Sequence, residues 1–256
     1  MFNEIHIGPI TIYMYGLMIC LGFLTALELC LVRGKRRGLS DDTIWGIFFC
    51  ALVGGLAGCR ILYYIVELPA IIRDPSLIFD FNNGLVVYGG IIGGAVTSFI
   101  YVRMKRHEAF LPYFDLVMPA VAIAQSIGRI GCFCAGCCWG RETESHLHII
   151  FSHSSYAPNG LRLIPTQLIS SAGDLAIGLI LLLYAGRRPA KGRVASAYFM
   201  LYGTGRFLIE FLRNDPRGAL GPLSTSQAIS LVMIVAGAVS YARSGRLQAD
   251  SVPAAA

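Results

Sequence analysis

The stretch "TIWGIFFCALVGGLAGCRILYYIV", residues 43–66, contains one charged residue, Arg60. Coiled as a helix at 1.5 Å per residue it reaches about 36 Å, enough to cross a hydrocarbon core of about 30 Å. Similar apolar runs recur at roughly 12–32, 85–102, 112–131, 166–186, 194–212 and 224–242. The chain is 55% hydrophobic and only 14% charged over its 256 residues. Ordinary soluble domains carry about 25% charged residues, so this chain has too few to coat a water-facing surface. The sequence predicts an all-α, polytopic integral membrane protein of about seven transmembrane helices, one domain over 1–256. Its sizeable extramembrane loop is expected at about 132–165.

The first span follows the polar leader "FNEIHIGP" and lacks a short apolar region ending in a small-residue cleavage site. It is expected to be a retained span, not a removed signal peptide. Glycine-rich pieces such as "VGGLAG" (53–58) and "YGGIIGG" (88–94) suit close approach of helix backbones in lipid.

Charge outside the spans sets the expected orientation. Arg33, Lys35, Arg36 and Arg37, then Arg103, Lys105 and Arg106, then Arg187, Arg188, Lys191 and Arg193, then Arg243 and Arg246 fall on one side. The other side holds Arg73, Arg141, Arg162, Arg213 and Arg217. The excess of cations on the first side predicts an N-terminus outside and a C-terminus in the cytoplasm. The net charge of +6 is mostly this topology signal, and no nucleic-acid-binding pattern accompanies it.

Three cations, Arg60, Arg129 and Arg206, are left inside the predicted spans. An intramembrane arginine costs at least about 2.5–3.5 kcal/mol on insertion scales and marks a functional site by default. Snorkelling to the interface is the structural alternative. All three lie in the outer part of spans that run from cytoplasm to outside, so they are expected to meet near the outer leaflet. Guanidinium groups bind phosphate oxygens in bidentate fashion and stay charged at biological pH. An anionic phospholipid headgroup is the economical ligand, and a fixed salt bridge the competing idea.

In "YGTGRFLIEFLR" (202–213), Arg206, Glu210 and Arg213 fall at i, i+4 and i+7, which predicts a shared helical face. Glu210 can then orient Arg206 and offset part of its charge. Tyr15 and Tyr88 stand at the expected outer starts of their spans, where interfacial tyrosines are common. "PTQL" (165–168) opens the fifth span with Pro165 in its first turn and brings Gln167 to the same side.

The stretch "GRIGCFCAGCCWGR" (128–141) resembles the signature loop of bacterial prolipoprotein diacylglyceryl transferases, GRxGNFxNGExxGR. "YGLM", "GCRILYY", "YGGIIGG", "PTQL" and "YGTGRFLIEFLR" are similar to that family's other motifs, in order and spacing. The resemblance implies a multi-pass enzyme of the bacterial cytoplasmic (inner) membrane whose site faces the outer leaflet. It implies transfer of the diacylglyceryl group of phosphatidylglycerol to the lipobox cysteine thiol of a preprolipoprotein, with release of glycerol phosphate. Arg129 and Arg206 match arginines essential in the family; Tyr15, Glu210 and Arg213 match positions linked to activity. Arg60, Gln167, Gly89 and Gly131 complete the implied substrate-binding set. Tyr88 stands where many relatives have histidine, and is the implied catalytic substitute although its ordinary pKa of about 10 makes it a poorer base. Cys132, Ala135 and Cys137 stand where the signature has two asparagines and a glutamate. These departures keep open a paralogous transferase that uses a phospholipid donor with a different acceptor. A transporter is disfavoured, because no internal repeat is evident.

Cys20, Cys30, Cys50 and Cys59 fall inside spans as small packing residues. Cys132, Cys134, Cys137 and Cys138 cluster as C-x-C-x2-C-C. Disulfides or packed thiols are the first reading for them, with a redox or acyl-carrying thiol and a metal site as alternatives. No cofactor and no metal ligand set are expected.

Overall fold

A computed structural model describes residues 3–8, 10–79, 85–215, 219–220 and 223–249. Arg217 and the side chain of Arg246, counted among the loop cations, lie outside the described residues. The chain opens with an antiparallel hairpin of β1 (Glu4–Ile7) and β2 (Ile10–Tyr13), which leads into α1 (Met14–Arg36). Then follow α2 (Asp41–Val66), the short α3 (Leu68–Arg73), a 3-10 turn at Pro75–Phe79 and α4 (Val87–Ile100), which ends in a π-helical turn at Tyr101–Lys105. Next comes α5 (Phe110–Ala135), then the pair β3 (Ile149–Ile150) and β4 (Arg162–Leu163). The helices α6 (Thr166–Gly186) and α7 (Arg193–Glu210), the pair β5 (Ala219–Leu220) and β6 (Leu223–Ser224), and α8 (Thr225–Ala249) complete the order.

Six of these helices are long and apolar enough to cross a membrane: α1, α2, α4 with its π turn, α5, α6 and α8. The all-α, polytopic architecture expected from composition is borne out. The seventh expected span, 194–212, becomes α7, which does not reach that standard among the described helices. Arg193, Arg206 and Glu210 all fall within its 18 residues, so it needs partners for these charges. Large apolar side chains such as Phe49 (69% exposed), Ile91 and Val232 are exposed along the helices, as lipid-facing residues are.

The described residues group into two compact units. One holds residues 1–30 and 114–256. In it α1 packs on α5 at Gly22, where a Cβ would lie 2.9 Å from the Ala124 carbonyl oxygen. The α5–α6 contact is tied by the Ser126 and Ser171 hydroxyls, 3.1 Å apart, with Ser171 Oγ also donating to the Ser126 carbonyl at 2.9 Å. Helix α7 packs along α8 where Gly203 and Gly237 let the backbones close on Ser230 and Ser196. Its N-terminus is capped by the buried Asp115 carboxylate of α5, which accepts from Gly192 N at 2.6 Å and Ala195 N at 2.9 Å. An anionic group there satisfies orphan N–H donors and complements the positive end of the helix dipole. Tyr198 of α7 donates to Gln125 Oε1 of α5 at 2.8 Å.

The other unit holds residues 31–113. Here the glycine runs make backbone contact between α2 and α4. A Cβ on Gly58 would lie 2.2 Å from the Gly89 carbonyl oxygen, and one on Gly93 would lie 2.3 Å from that of Gly54. No side chain fits at either position. A polar cluster closes one end of this unit. Ser40 caps α2 by accepting from Thr43 N, Thr43 Oγ1 donates to Glu108 Oε1 at 2.7 Å, and Arg106 Nε donates to Thr43 Oγ1 at 2.8 Å. The Tyr113 hydroxyl also donates to Glu108. Burial alone would raise the Glu108 pKa, but hydrogen bonds from Tyr113 and Thr43 and the Arg106 charge hold it below the usual glutamate value.

Candidate active site

The larger unit contains a cavity of about 260 Å³ between α5, α6 and α7. Its polar lining is Arg129, Ser170, Asp174, Tyr202 and Arg206, and its apolar wall includes Ile177 and Ile209. Leu208, Ile169 and Leu212 also line it and are exposed on the helix surface. The cavity thus joins two arginines and an aspartate to an apolar wall.

Each arginine reaches the cavity from the C-terminal part of its helix and has an acid beside it. Arg129, on the penultimate turn of α5, lies with Nε 3.8 Å from Asp174 Oδ2 of α6. Arg206 lies with Nη1 2.8 Å from Glu210 Oε2, one turn along α7. Its Nη2 donates to Ser226 Oγ of α8 at 2.8 Å. The Arg206 and Glu210 side chains are only 14% and 5% exposed, so the charges must be paired to be tolerated. The pairing of Arg206 with Glu210 is the one read from spacing. Asp174 was missed, although it is the lone acid of the 166–186 run and carries the same signal as an intramembrane arginine.

Arg213 departs from the helical face expected of it. Helix α7 ends at Glu210, so residue 213 no longer follows the 3.6-residue repeat. Arg213 instead makes a fork with Asp215, Nε to Oδ1 at 3.1 Å and Nη2 to Oδ2 at 2.9 Å. Its backbone forms a bridge to Gly140. Arg141 N donates to the Leu212 carbonyl at 2.8 Å and Asn214 N to that of Trp139 at 3.2 Å. These bonds lace the cysteine-rich segment onto the end of α7.

The cysteine segment starts later than the expected 132–165 loop, because α5 runs on to Ala135. The helix is stopped by Gly136, at φ +74°. Gly136 N donates to the Phe133 carbonyl and Cys137 N to that of Cys132, both at 3.2 Å. This pair of bonds is a Schellman cap with glycine at the left-handed position. The cap sets residues 132 and 137 side by side. Cys138 follows with φ +61°, a conformation non-glycine residues adopt rarely. As a result the Sγ atoms of Cys132, Cys137 and Cys138 all lie within 4.8 Å of one another. All eight cysteines are free thiols. Hydrogen bonds from Cys132 and Cys137 pull the Cys138 thiol well below the usual cysteine range, with Arg213 and Arg129 adding to the effect. The neighbouring thiols push Cys137 up.

Gln167, fully buried in the first turn of α6, donates from Nε2 to the Cys137 carbonyl at 2.8 Å, and Thr166 Oγ1 donates to that of Cys138 at 2.8 Å. The other Gln167 amide atom, Oε1, is buried without a hydrogen-bond partner among the described residues. Gly131 keeps α1 close to α5, since a Cβ there would lie 3.0 Å from Met18 Cβ and 3.3 Å from Tyr15 Cα. Tyr15 therefore sits at the start of α1 beside the signature stretch.

Three expected site residues belong to the smaller unit. Arg60 donates from Nε to the Tyr64 hydroxyl at 2.8 Å and from Nη2 to the Ile78 carbonyl at 2.8 Å, with its guanidinium over the Tyr63 and Tyr64 rings. Tyr88 is 40% exposed in the first turn of α4. Gly89 is a packing residue against Gly58.

Comparison with known proteins bears on this arrangement. A family model described as prolipoprotein diacylglyceryl transferase matches residues 3–243. The chain belongs to the prolipoprotein diacylglyceryl transferase family. Within this family it is 47% identical to the phosphatidylglycerol–prolipoprotein diacylglyceryl transferase 2 of Clostridium perfringens, over 92% of both chains. It is 45% identical to the phosphatidylglycerol–prolipoprotein diacylglyceryl transferase of Clostridium tetani, over 88% of this chain and 90% of that one. The Clostridioides difficile member is 33% identical over 91% and 90%. Like its relatives in the transferase family, the chain is a multi-pass bacterial membrane protein.

Proposed function

We propose that this chain transfers the diacylglyceryl group of phosphatidylglycerol to the lipobox cysteine thiol of preprolipoproteins, releasing glycerol phosphate. The observation that carries this reading is the pair of acid-flanked arginines, Arg129 and Arg206, on one small cavity with an apolar rim. The acceptor thiol gives its proton to water, its sulfur attacks the glycerol carbon next to the phosphate, and the C–O bond breaks as the C–S bond forms. The diester phosphate leaves as a monoester bearing one more negative charge. Two guanidiniums fixed in a poorly solvated cavity stabilise that added charge more strongly than water does. Asp174 and Glu210 hold the guanidiniums in place. Arg60, Tyr15 and Gln167 enter the proposal as residues shaping headgroup binding, and Tyr88 as the catalytic replacement for the family's histidine. Placing Arg129 toward the outer leaflet, with the N-terminus outside, follows from the cation asymmetry of the loops.

A second reading keeps the donor and changes the acceptor. Clostridium perfringens has two enzymes of this name, and the chain is 47% identical to the one numbered 2 but 36% to the one numbered 1. This likeness to one numbered copy fits a specialised paralogue. Expression in a bacterium depleted of its own transferase separates the two readings. The proposal expects restored diacylglyceryl modification of a reporter lipoprotein, seen by gel shift and N-terminal mass spectrometry. A well-expressed chain that restores nothing moves the paralogue reading ahead.

A further inference from the structure

The transfer needs an ionised acceptor thiol, since the thiolate is the nucleophile and a free cysteine has a pKa of about 8.5. Around the cavity the acids are already engaged: Asp174 faces Arg129 and Glu210 faces Arg206. At the end of α5, past Arg129, stand three thiols of this chain that take no part in binding the phosphate.

The geometry points to a soft-metal site made by Cys132, Cys137 and Cys138, which holds zinc through three thiolates and takes the acceptor cysteine as its fourth ligand. This deepens the transfer reading above and rests on it. Three observations carry it. The Sγ atoms lie within 4.8 Å of one another, and tetrahedral Zn–S bonds of about 2.3 Å require S···S distances of about 3.8 Å. Shifts of less than about 1 Å would therefore close the site. The convergence is also built in by the backbone. The Schellman cap at Gly136 sets Cys132 against Cys137, and the left-handed Cys138 turns the third thiol back toward them. Hydrogen bonds to the Cys137 and Cys138 carbonyls from Gln167 and Thr166 hold that backbone in place. Finally, the three thiols sit at the C-terminal end of α5, where the helix dipole favours a cation.

A catalytic zinc site keeps one position open beside three protein ligands, and three thiolates suit a soft, redox-inert ion. A thiol that enters the open position is deprotonated on coordination. Its proton passes to water. The bound sulfur then donates its electron pair to the glycerol carbon, the C–O bond breaks, and that bond's pair leaves on the glycerol phosphate oxygen. The thioether product is neutral and a weaker zinc ligand than a thiolate, so the position reopens.

The test uses the full chain purified in detergent under reductant, titrated with zinc and with cobalt as a spectroscopic stand-in. The expected result is one metal per chain, with a thiolate-to-cobalt charge-transfer band. Cys132→Ser, Cys137→Ser and Cys138→Ser each weaken binding at least about ten-fold, whereas Cys20→Ser, exposed on α1, leaves it unchanged. Melting profiles confirm that the variants are folded. A lipobox peptide then shifts the visible cobalt spectrum, and the same peptide with serine for cysteine does not. Failure to bind stoichiometric metal, or a band indifferent to the three substitutions, overturns the site. Metal binding without a peptide-dependent shift overturns the acceptor role. Full transfer activity in chelator-stripped protein sinks the zinc role while leaving the transferase reading standing. Cysteine-dependent shifts without any transfer from phosphatidylglycerol do the reverse.

Discussion

At the scale of single residues, the cavity depends on charges that cannot stand alone. Removing the Arg206 guanidinium takes away a donor aimed at the departing phosphate, and Arg206→Ala is expected to lower the transfer rate by about 10²–10³-fold. Arg206→Lys should recover only part of this, because a point charge cannot reproduce the contacts to both Glu210 and Ser226. Steady-state transfer assays on detergent-purified variants check both. Asp174→Asn leaves Arg129 without its counter-charge, and should destabilise the fold by about 3 kcal/mol, the low end for breaking a buried pair, since Arg129 keeps 19% exposure. Thermal unfolding in detergent measures it, and a melting point equal to wild type would contradict the pairing. The arginines were legible in the sequence because a cation in an apolar run is conspicuous. Asp174 was equally conspicuous by that argument. Arg213 was misplaced because periodicity continues a helix past its real end, and nothing in the spacing marks the stop at Glu210.

At the scale of elements, backbone contact and capping set what each helix can present. Gly58→Leu drives a side chain into the Gly89 carbonyl. It should destabilise the smaller unit by at least about 1–3 kcal/mol, visible as lost folded yield on size-exclusion chromatography. Gly136→Ala forces a Cβ into a left-handed position and against the Ser154 hydroxyl, 2.2 Å away, so it should loosen the cysteine turn and cost about 1 kcal/mol or more. The polar cluster around Glu108 makes a pH prediction. Its folded pKa is depressed, so its contribution is complete above the ordinary glutamate value and fades as pH falls through the lower folded value. Melting temperature should drop at acid pH in wild type, and the drop should be smaller in Glu108→Gln. The glycine motifs announced close helix packing in the sequence. The partner of each glycine could not be read, since it depends on which helices meet. The convergence of Cys132, Cys137 and Cys138 was hidden for a similar reason. C-x-C-x2-C-C matches no regular ligand spacing, and only the cap geometry brings the thiols together.

At the scale of the whole molecule, composition and run length were enough for an all-α membrane protein, because the bilayer imposes both. One expected span proved too charged to qualify by itself: α7 lies along α8 and carries Arg206, paired with Glu210, to the cavity. The functional helix thus departs from the apolar pattern that betrays the others. The loop charges predict that a reporter fused near residue 105 is active only in the cytoplasm, and one fused near residue 145 only outside. The reverse pattern would invert the proposed site. The central claim is tested most directly by placing the purified chain in phosphatidylglycerol vesicles with a lipobox peptide and weighing the product. The account predicts a peptide heavier by one diacylglyceryl group on its cysteine, formed by wild type and not by Arg129→Ala. An unmodified peptide with folded wild-type protein, or equal modification by Arg129→Ala, would contradict it.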